Sequence, residues 1–197
     1  MYDYRKLSPE ERQLVLQTRR QRGFPLHAPP HFPGLAGVYL ITAACYEHRP
    51  IFEHPDDLSW LTNEFLEHLE RAIVPYRAWV FLPNHYHILL YTDDLHEISE
   101  TLRLLHSRTA TIANSRHHSR GRKVWYRFSD RMIRSERHYW ATVNYIHYNP
   151  VKHGYVDRMR EWPWSSVHDY VAAFGEDWFH RTWSTFPVGN YGKGWDW

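Results

Sequence analysis

Two imidazoles, His85 and His87, sit two residues apart in the run Pro83-Asn84-His85-Tyr86-His87-Ile88-Leu89-Leu90. In a strand, residues two apart project to the same face. His85 and His87 therefore stand side by side, with Tyr86 on the opposite face. Neutral imidazoles converging from one strand suit a divalent ion. The chain holds 16 histidines, so a His-x-His pair by itself carries limited weight. A second stretch, Tyr145-Ile146-His147-Tyr148-Asn149-Pro150-Val151, ends an amphipathic helical segment. Tyr145 and Asn149 are four apart and share a helix face. A phenol with an amide oxygen one turn away can meet the histidine pair across a cleft. Tyr139, Tyr148 and Tyr155 are nearby, but only Tyr145 is followed by Asn at that spacing. Pro150 disfavours helical geometry at Asn149 and would turn its side chain off the ideal stripe.

The elements that must position these groups are set by periodicity. Residues 77–82 and 85–91 are rich in apolar and aromatic residues and flank Pro83-Asn84, so they read as two strands meeting at a turn. Val38 to Tyr46 reads as the first strand. Leu58, Leu61, Phe65, Leu69 and Ile73 recur at helical spacing over 56–73, with Pro75 closing the segment. Leu95, Ile98, Leu102, Leu105 and Ile112 mark a longer helix ended by Gly121. Lys123 to Phe128 reads as a short strand. Ser135 caps the last core helix, whose Tyr139, Val143 and Ile146 face inward and leave Tyr145 and Asn149 on another stripe. Strand, helix, strand, strand, helix, strand, helix is the order of an α+β ferredoxin-like or RRM-like antiparallel sheet with helices on one face.

Three units are expected. Residues 1–34 form a helical arm and a linker. Ser8-Pro9-Glu10-Glu11 is a capping box opening a basic helix to about Arg22, and Pro25, Pro29, Pro30 and Pro33 stiffen the linker. Residues 35–172 form the main domain. Residues 173–197 form a C-terminal tail, loosely ordered from Gly189. Six of the ten tryptophans lie beyond Glu161. Trp162 and Trp164 read as packing anchors rather than base-stacking groups.

Composition narrows the function classes. A single cysteine, Cys45, excludes an internal disulfide framework and a cysteine zinc finger. No apolar run approaches the roughly 20 residues that span a bilayer, and the polar N-terminus does not read as a secretory signal, so a cytoplasmic protein is expected. Net charge is only +2, but it is unevenly placed. Residues 101–137 carry ten Lys/Arg against two acids, whereas the remainder carries fourteen bases and twenty acids. Arg103, Arg108, Arg116, Arg120, Arg122 and Lys123, interleaved with histidines, Trp125 and Tyr126, are the candidate phosphate-binding surface.

The His-hydrophobic-His strand followed by a helical Tyr with a polar residue four later resembles the single-tyrosine HUH transposases of IS200-type elements. The Tyr145-Ile-x-x-Asn149-Pro150-Val151 form, with the trailer Trp162-Pro163-Trp164-Ser165-Ser166, resembles the branch called REP-associated tyrosine transposases. The resemblance spans about Gly37 to Tyr170 and implies the same ferredoxin-like fold. It implies Tyr145 as nucleophile, a metal set of His85, His87 and Asn149, and a hairpin-containing single-stranded DNA substrate. Cleavage would leave a 5′-phosphotyrosine and a free 3′-OH. It points to a monomer, although IS200 relatives act as dimers.

A phenol of ordinary pKa about 10 that attacks a phosphodiester stores the ester as a covalent adduct, which permits strand transfer as well as cutting. Two imidazoles and an amide oxygen, with no thiolate, favour Mg²⁺ or Mn²⁺ over zinc. His147 and Lys152 flank the site as further candidates for phosphate contact. Two other functions compete with the metal-dependent endonuclease and strand transferase. One is a domesticated hairpin-binding protein that does not cut. The other is a metal-dependent phosphohydrolase in which Tyr145 is a bystander.

Overall fold

The computed structural model describes residues 8–21 and 36–192. The N-terminal helix α1 (Pro9–Gln21) opens with the expected capping box. Ser8 Oγ accepts from the Glu11 amide at 3.2 Å, and the Glu11 carboxylate accepts from the Ser8 amide at 2.7 Å. The proline-rich stretch and Gly23 lie outside the described residues.

The main domain runs β1 (Gly37–Ala44), α2 (Pro55–Arg71), β2 (Tyr76–Leu82), β3 (His85–Thr92), α3 (Leu95–Arg116), β4 (Ser129–Met132) and α4 (Glu136–Lys152). The four strands form one antiparallel sheet in the order β2-β3-β1-β4. This is the α+β, ferredoxin-like arrangement expected from the pattern. One element is displaced. Residues 123–128 contribute only a bridge between Cys45 and Trp125, and β4 begins at Ser129. Trp125 is drawn into the core, stacked on Phe52 and His106, so its backbone leaves the ladder early.

Alternation along β3 decides what each face of the sheet becomes. Tyr86, Ile88 and Leu90 project to the face covered by α2 and α3, where Tyr86 meets Phe65, Phe81 and Trp125 edge-on or tilted. Leu58, Leu61, Phe65 and Leu69 of α2 and Leu95, Ile98, Leu102 and Leu105 of α3 are buried there. The expectation of helices on one face holds for these two. Helix α4 packs on the opposite face, against β2 and β3. Ser135 caps it, accepting from the His138 amide at 3.1 Å.

The outer edge of β2 is closed by the Trp-Pro-Trp-Ser-Ser segment. The Phe81 amide donates to the Trp164 carbonyl at 3.0 Å, the Trp162 indole donates to the Phe81 carbonyl at 2.9 Å, and the Trp79 amide donates to Ser166 Oγ at 2.9 Å. Trp162 and Trp164 are thus packing groups that hide a sheet edge. Helices α5 (Val167–Phe174) and α6 (Glu176–Thr185) complete the described fold. The expected boundary after residue 172 falls inside α5. Residues 173–192 dock on α4: Asn144 donates to the carbonyls of Thr182 and Phe186, and Trp178 and Trp183 meet Trp140 and Tyr148. Trp195 and Trp197 lie outside the described residues.

Candidate functional site

The His pair projects from β3 toward α4, and both rings are fixed through the nitrogen that faces away from the helix. His85 Nδ1 lies 2.7 Å from Asn84 Oδ1, while the Asn84 amide donates to the His48 carbonyl at 3.3 Å. That second bond sets the Asn84 amide so that its oxygen meets His85, which makes His85 Nδ1 the protonated nitrogen. His87 Nδ1 lies 2.7 Å from Thr42 Oγ1, because β1 and β3 place Thr42 directly opposite His87. In each ring Nε2 is left to face α4. Orientation of a ligand imidazole through its other nitrogen is the usual second layer of a metal site.

Helix α4 supplies the partners. It runs unbroken through Pro150 to Lys152, with the His153 amide bonded to the Asn149 carbonyl at 3.1 Å. Asn149 is therefore helical, and Pro150 does not turn it off the stripe. Asn149 Oδ1 reaches to 3.0 Å from His85 Nε2, and the Tyr145 hydroxyl lies 3.4 Å from His87 Nε2. The rings of His85 and His87 are 5.1 Å apart, and His87 and Tyr145 are also 5.1 Å apart, edge to face. The structure thus brings together all four residues singled out for chemistry. His85 Nε2 and Asn149 Oδ1 lie 3.0 Å apart, close enough for both to face one ion, and a rotation of the Asn149 amide by 180° would instead let its nitrogen donate to Nε2. Asn149 Nδ2 is buried without a hydrogen-bond partner among the described residues. Among the described residues no three His, Cys, Asp or Glu side chains cluster as a metal site, so the donor set is two imidazoles and an amide.

Lys152 is the neighbour expected beside the site; His153, Tyr191 and Gly192 had no signal in the sequence. The His153 ring lies 4.9 Å from that of His85. Lys152 Nζ sits 5.0 Å over the Tyr145 ring and donates to the Gly192 carbonyl at 3.1 Å. Tyr191 packs against the Tyr145 ring at 5.4 Å and is held by Thr142 Oγ1 at 2.6 Å and His138 Nε2 at 3.1 Å. Gly192, at φ +76°, is so close that a Cβ there would overlap the Tyr145 ring. Tyr145 is consequently fully buried rather than open to a cleft. Asn84 and Thr42 could have been found only through the turn and the β1–β3 register.

His147 does not reach the site. It points away to Ser166 Oγ at 3.0 Å, and burial lowers its pKa to about 3, so it is a neutral packing residue rather than a phosphate contact.

Of the six basic candidates, Arg116 and Arg122 meet through Asp57 and His117, and the others make contacts of their own. Arg103 pairs with Glu100 at 2.9 Å, Arg108 with Glu64, and Arg116 with Asp57 at 3.1 Å. Arg122 bonds Asn114 and His117, both at 2.9 Å. Arg120 is exposed, and Lys123 lies over Tyr46. The Arg103–Glu100 pair is exposed and worth little, whereas the carboxylates of Glu64 and Asp57 are largely buried under Arg108 and Arg116.

Comparison with known proteins gives the chain's relatives. No family model matches the chain. It is 35% identical over 158 residues, 72% of this chain and 87% of the relative, to a protein of Haemophilus influenzae provisionally named a REP-associated tyrosine transposase. It is 36% identical over 97 residues to the REP-associated tyrosine transposase of Escherichia coli K12, covering 48% of this chain and 55% of that one. A solved structure of a REP-associated tyrosine transposase bound to a REP hairpin superposes with a TM-score of 0.58 at 25% identity, over 74% of this chain and 84% of that one. The chain belongs to the REP-associated tyrosine transposases.

Proposed function

We propose that the protein is a metal-dependent single-strand DNA endonuclease and strand transferase that works beside hairpins through a covalent 5′-phosphotyrosine. The observation that carries this reading is the meeting of the Tyr145 hydroxyl with His87 Nε2 at 3.4 Å beside the His85–Asn149 pair. The hairpin is suggested by the solved relative, which is bound to one.

The donor set fits a hard divalent ion such as Mg²⁺ or Mn²⁺ at His85 Nε2, His87 Nε2 and Asn149 Oδ1. When bound there, the ion withdraws charge from a non-bridging oxygen of the scissile phosphate. The rest falls to the chain's own residues. Asn84 and Thr42 hold the two imidazoles through Nδ1 in the orientation that turns Nε2 toward α4. Tyr145 Oη bonds to phosphorus as the bond to the 3′ oxygen breaks. The phenolic proton is lost to water, and the departing 3′ oxygen takes one up. The ester is kept on the protein and can be passed to another 3′-OH. The Lys152 ammonium, beside the Tyr145 ring, is placed to meet phosphate charge. A strand gains the phenol only once Tyr191 and Gly192 withdraw.

That covering segment is the observation favouring a second reading, a protein that holds a hairpin without cutting it. Incubation with a hairpin-flanked single strand and Mn²⁺ separates the two. A denaturation-resistant adduct that maps to Tyr145 by peptide mass spectrometry is the expected result. Cutting that yields only free 5′-phosphate ends would transfer the chemistry to water. Tight binding with no adduct, even when the chain is shortened to end before Val188, would leave the binding reading.

A further inference from the structure

We propose that Tyr46, Tyr126 and Lys123 form a platform that stacks one unpaired base of the strand entering the site and meets its phosphate. The inference rests on the single-strand reading above and names residues that lie outside its chemistry. Tyr46 and Tyr126 directly follow the two residues of the Cys45–Trp125 bridge, just beyond the end of β1 at Ala44. Two backbone bonds, from Tyr46 to the Val124 carbonyl at 2.7 Å and from Tyr126 to the Ala44 carbonyl at 2.9 Å, lock the segments side by side. Trp125 turns into the core, and the two tyrosine rings turn outward. They lie 4.9 Å apart at 46°, both half-buried. The exposed Lys123 lays its ammonium 4.5 Å over the Tyr46 ring and 5.6 Å over Tyr126.

An exposed cation–π contact is weaker than the stacking of a base on an aromatic ring. A base can therefore take the ring face from Lys123, and the displaced ammonium is left within reach of that nucleotide's phosphate. The cation also makes the platform a poor site for a cationic ligand, which leaves an anionic aromatic one.

The platform is tied to the catalytic strand through one residue. Asn84 bonds the His48 carbonyl through its amide and His85 Nδ1 through its oxygen, and its own carbonyl accepts from the Cys45 amide at 2.7 Å. The loop between carries two consecutive non-glycine residues in the left-handed region, Glu47 at φ 57° and His48 at φ 53°. Strain of this kind persists where the surroundings hold it, and it gathers at binding sites. A base on the platform would thus lie beside the loop that fixes the His85 ring.

The test uses the full chain without added divalent ion, so that cleavage does not intrude. The probe is a hairpin with a single-stranded flank carrying 2-aminopurine at each flank position in turn. One position is expected to be quenched by the wild-type protein. Tyr46→Leu and Tyr126→Leu should abolish that quench and weaken binding of the flanked hairpin by roughly 5- to 150-fold. Tyr46→Phe and Tyr126→Phe should restore both. Lys123→Ala should reduce the salt slope by about 0.7. Absence of any quenched position, or leucine variants that bind as the wild type does, would overturn the platform and leave the proposed function standing. An equal loss on a blunt hairpin without a flank would also overturn it, since no unpaired base is then involved. A wild-type protein that gains nothing from any flank would remove the platform and the single-strand reading together.

Discussion

His85 and His106 are both buried, yet they do different things. His106, on α3, accepts the Tyr86 hydroxyl at 2.8 Å and stacks on Trp125 at 4.9 Å and 17°. Burial lowers its pKa to about 3, so it stays neutral and works as a flat packing group with one satisfied nitrogen. His85 has its outer nitrogen fixed by Asn84 and turns the other toward the side-chain amide of Asn149 at 3.0 Å. The two residues that bracket Tyr86 in sequence thus lie on the side of the sheet that faces Tyr145 and Asn149, while Tyr86 itself serves the core. Helix α4 repeats the lesson. His147 lies between Tyr145 and Asn149 in sequence but points the other way, to Ser166. Burial is common to His85, His106 and His147; what sets His85 apart is that His87, Asn149 and Tyr145 converge beside it.

The sharpest way to break this comparison is a pair of conservative tyrosine changes. Tyr145→Phe keeps the ring and its packing and should lower adduct formation by roughly a thousandfold or more, read on denaturing gels. Tyr86→Phe should leave adduct formation intact and cost only about 1 kcal/mol of stability, the worth of one buried hydrogen bond. Equal loss of adduct in both would erase the distinction between the faces.

Next come the histidines. His85→Ala and His87→Ala should abolish Mn²⁺ binding in a calorimetric titration, with the fold retained by circular dichroism. His106→Ala should bind Mn²⁺ normally and lose roughly 2–4 kcal/mol of stability through the cavity it leaves. An unchanged Mn²⁺ isotherm in the β3 variants would sink the metal assignment.

The structural histidines also predict a pH dependence. His106 and His147 have folded pKa values lowered to about 3 against an ordinary 6.5. Above pH 6.5 both are neutral in either state, and their contribution is whole. As pH falls from 6.5 toward 3 the unfolded chain takes up protons that the folded chain refuses, so stability drops. The loss is at most about 1.4 kcal/mol per pH unit for each group. Urea midpoints at about pH 7, 5.5 and 4.5 span that window and measure it. His106→Gln with His147→Gln should flatten the fall. A midpoint as steep in the double variant as in the wild type would assign the titration to other groups.

The smallest expected effect concerns the cover. Tyr191→Phe removes the hydroxyl that Thr142 and His138 hold. Loosening these two hydrogen bonds, together worth at least about 1 kcal/mol, should raise the rate of adduct formation by about fivefold or more. A rate that does not move would show that the cover opens without breaking those bonds.

Much of the site was legible from the chain alone because local rules govern it. A two-residue turn at Pro83-Asn84 and strand alternation put His85 and His87 on one face. Helical spacing put Tyr145 and Asn149 on one stripe, and Ser8 and Ser135 announced two helix starts. Those rules say which side chains share a face, but not what the face meets. That α4 lies against the polar face of β3 is decided by the packing of the whole domain. Thr42 stands opposite His87 only through the pairing of strands 45 residues apart in the chain. The early loss of the strand expected at 123–128 comes from Trp125 finding a place in the core. The pairing of Arg103, Arg108 and Arg116 with acids on α2 and α3 was invisible to a count of charge. So was the placing of Tyr191 and Gly192 over the Tyr145 ring. Local sequence sets dihedral preference and the direction of side chains, whereas contact between distant segments is decided by how the buried surfaces fit together.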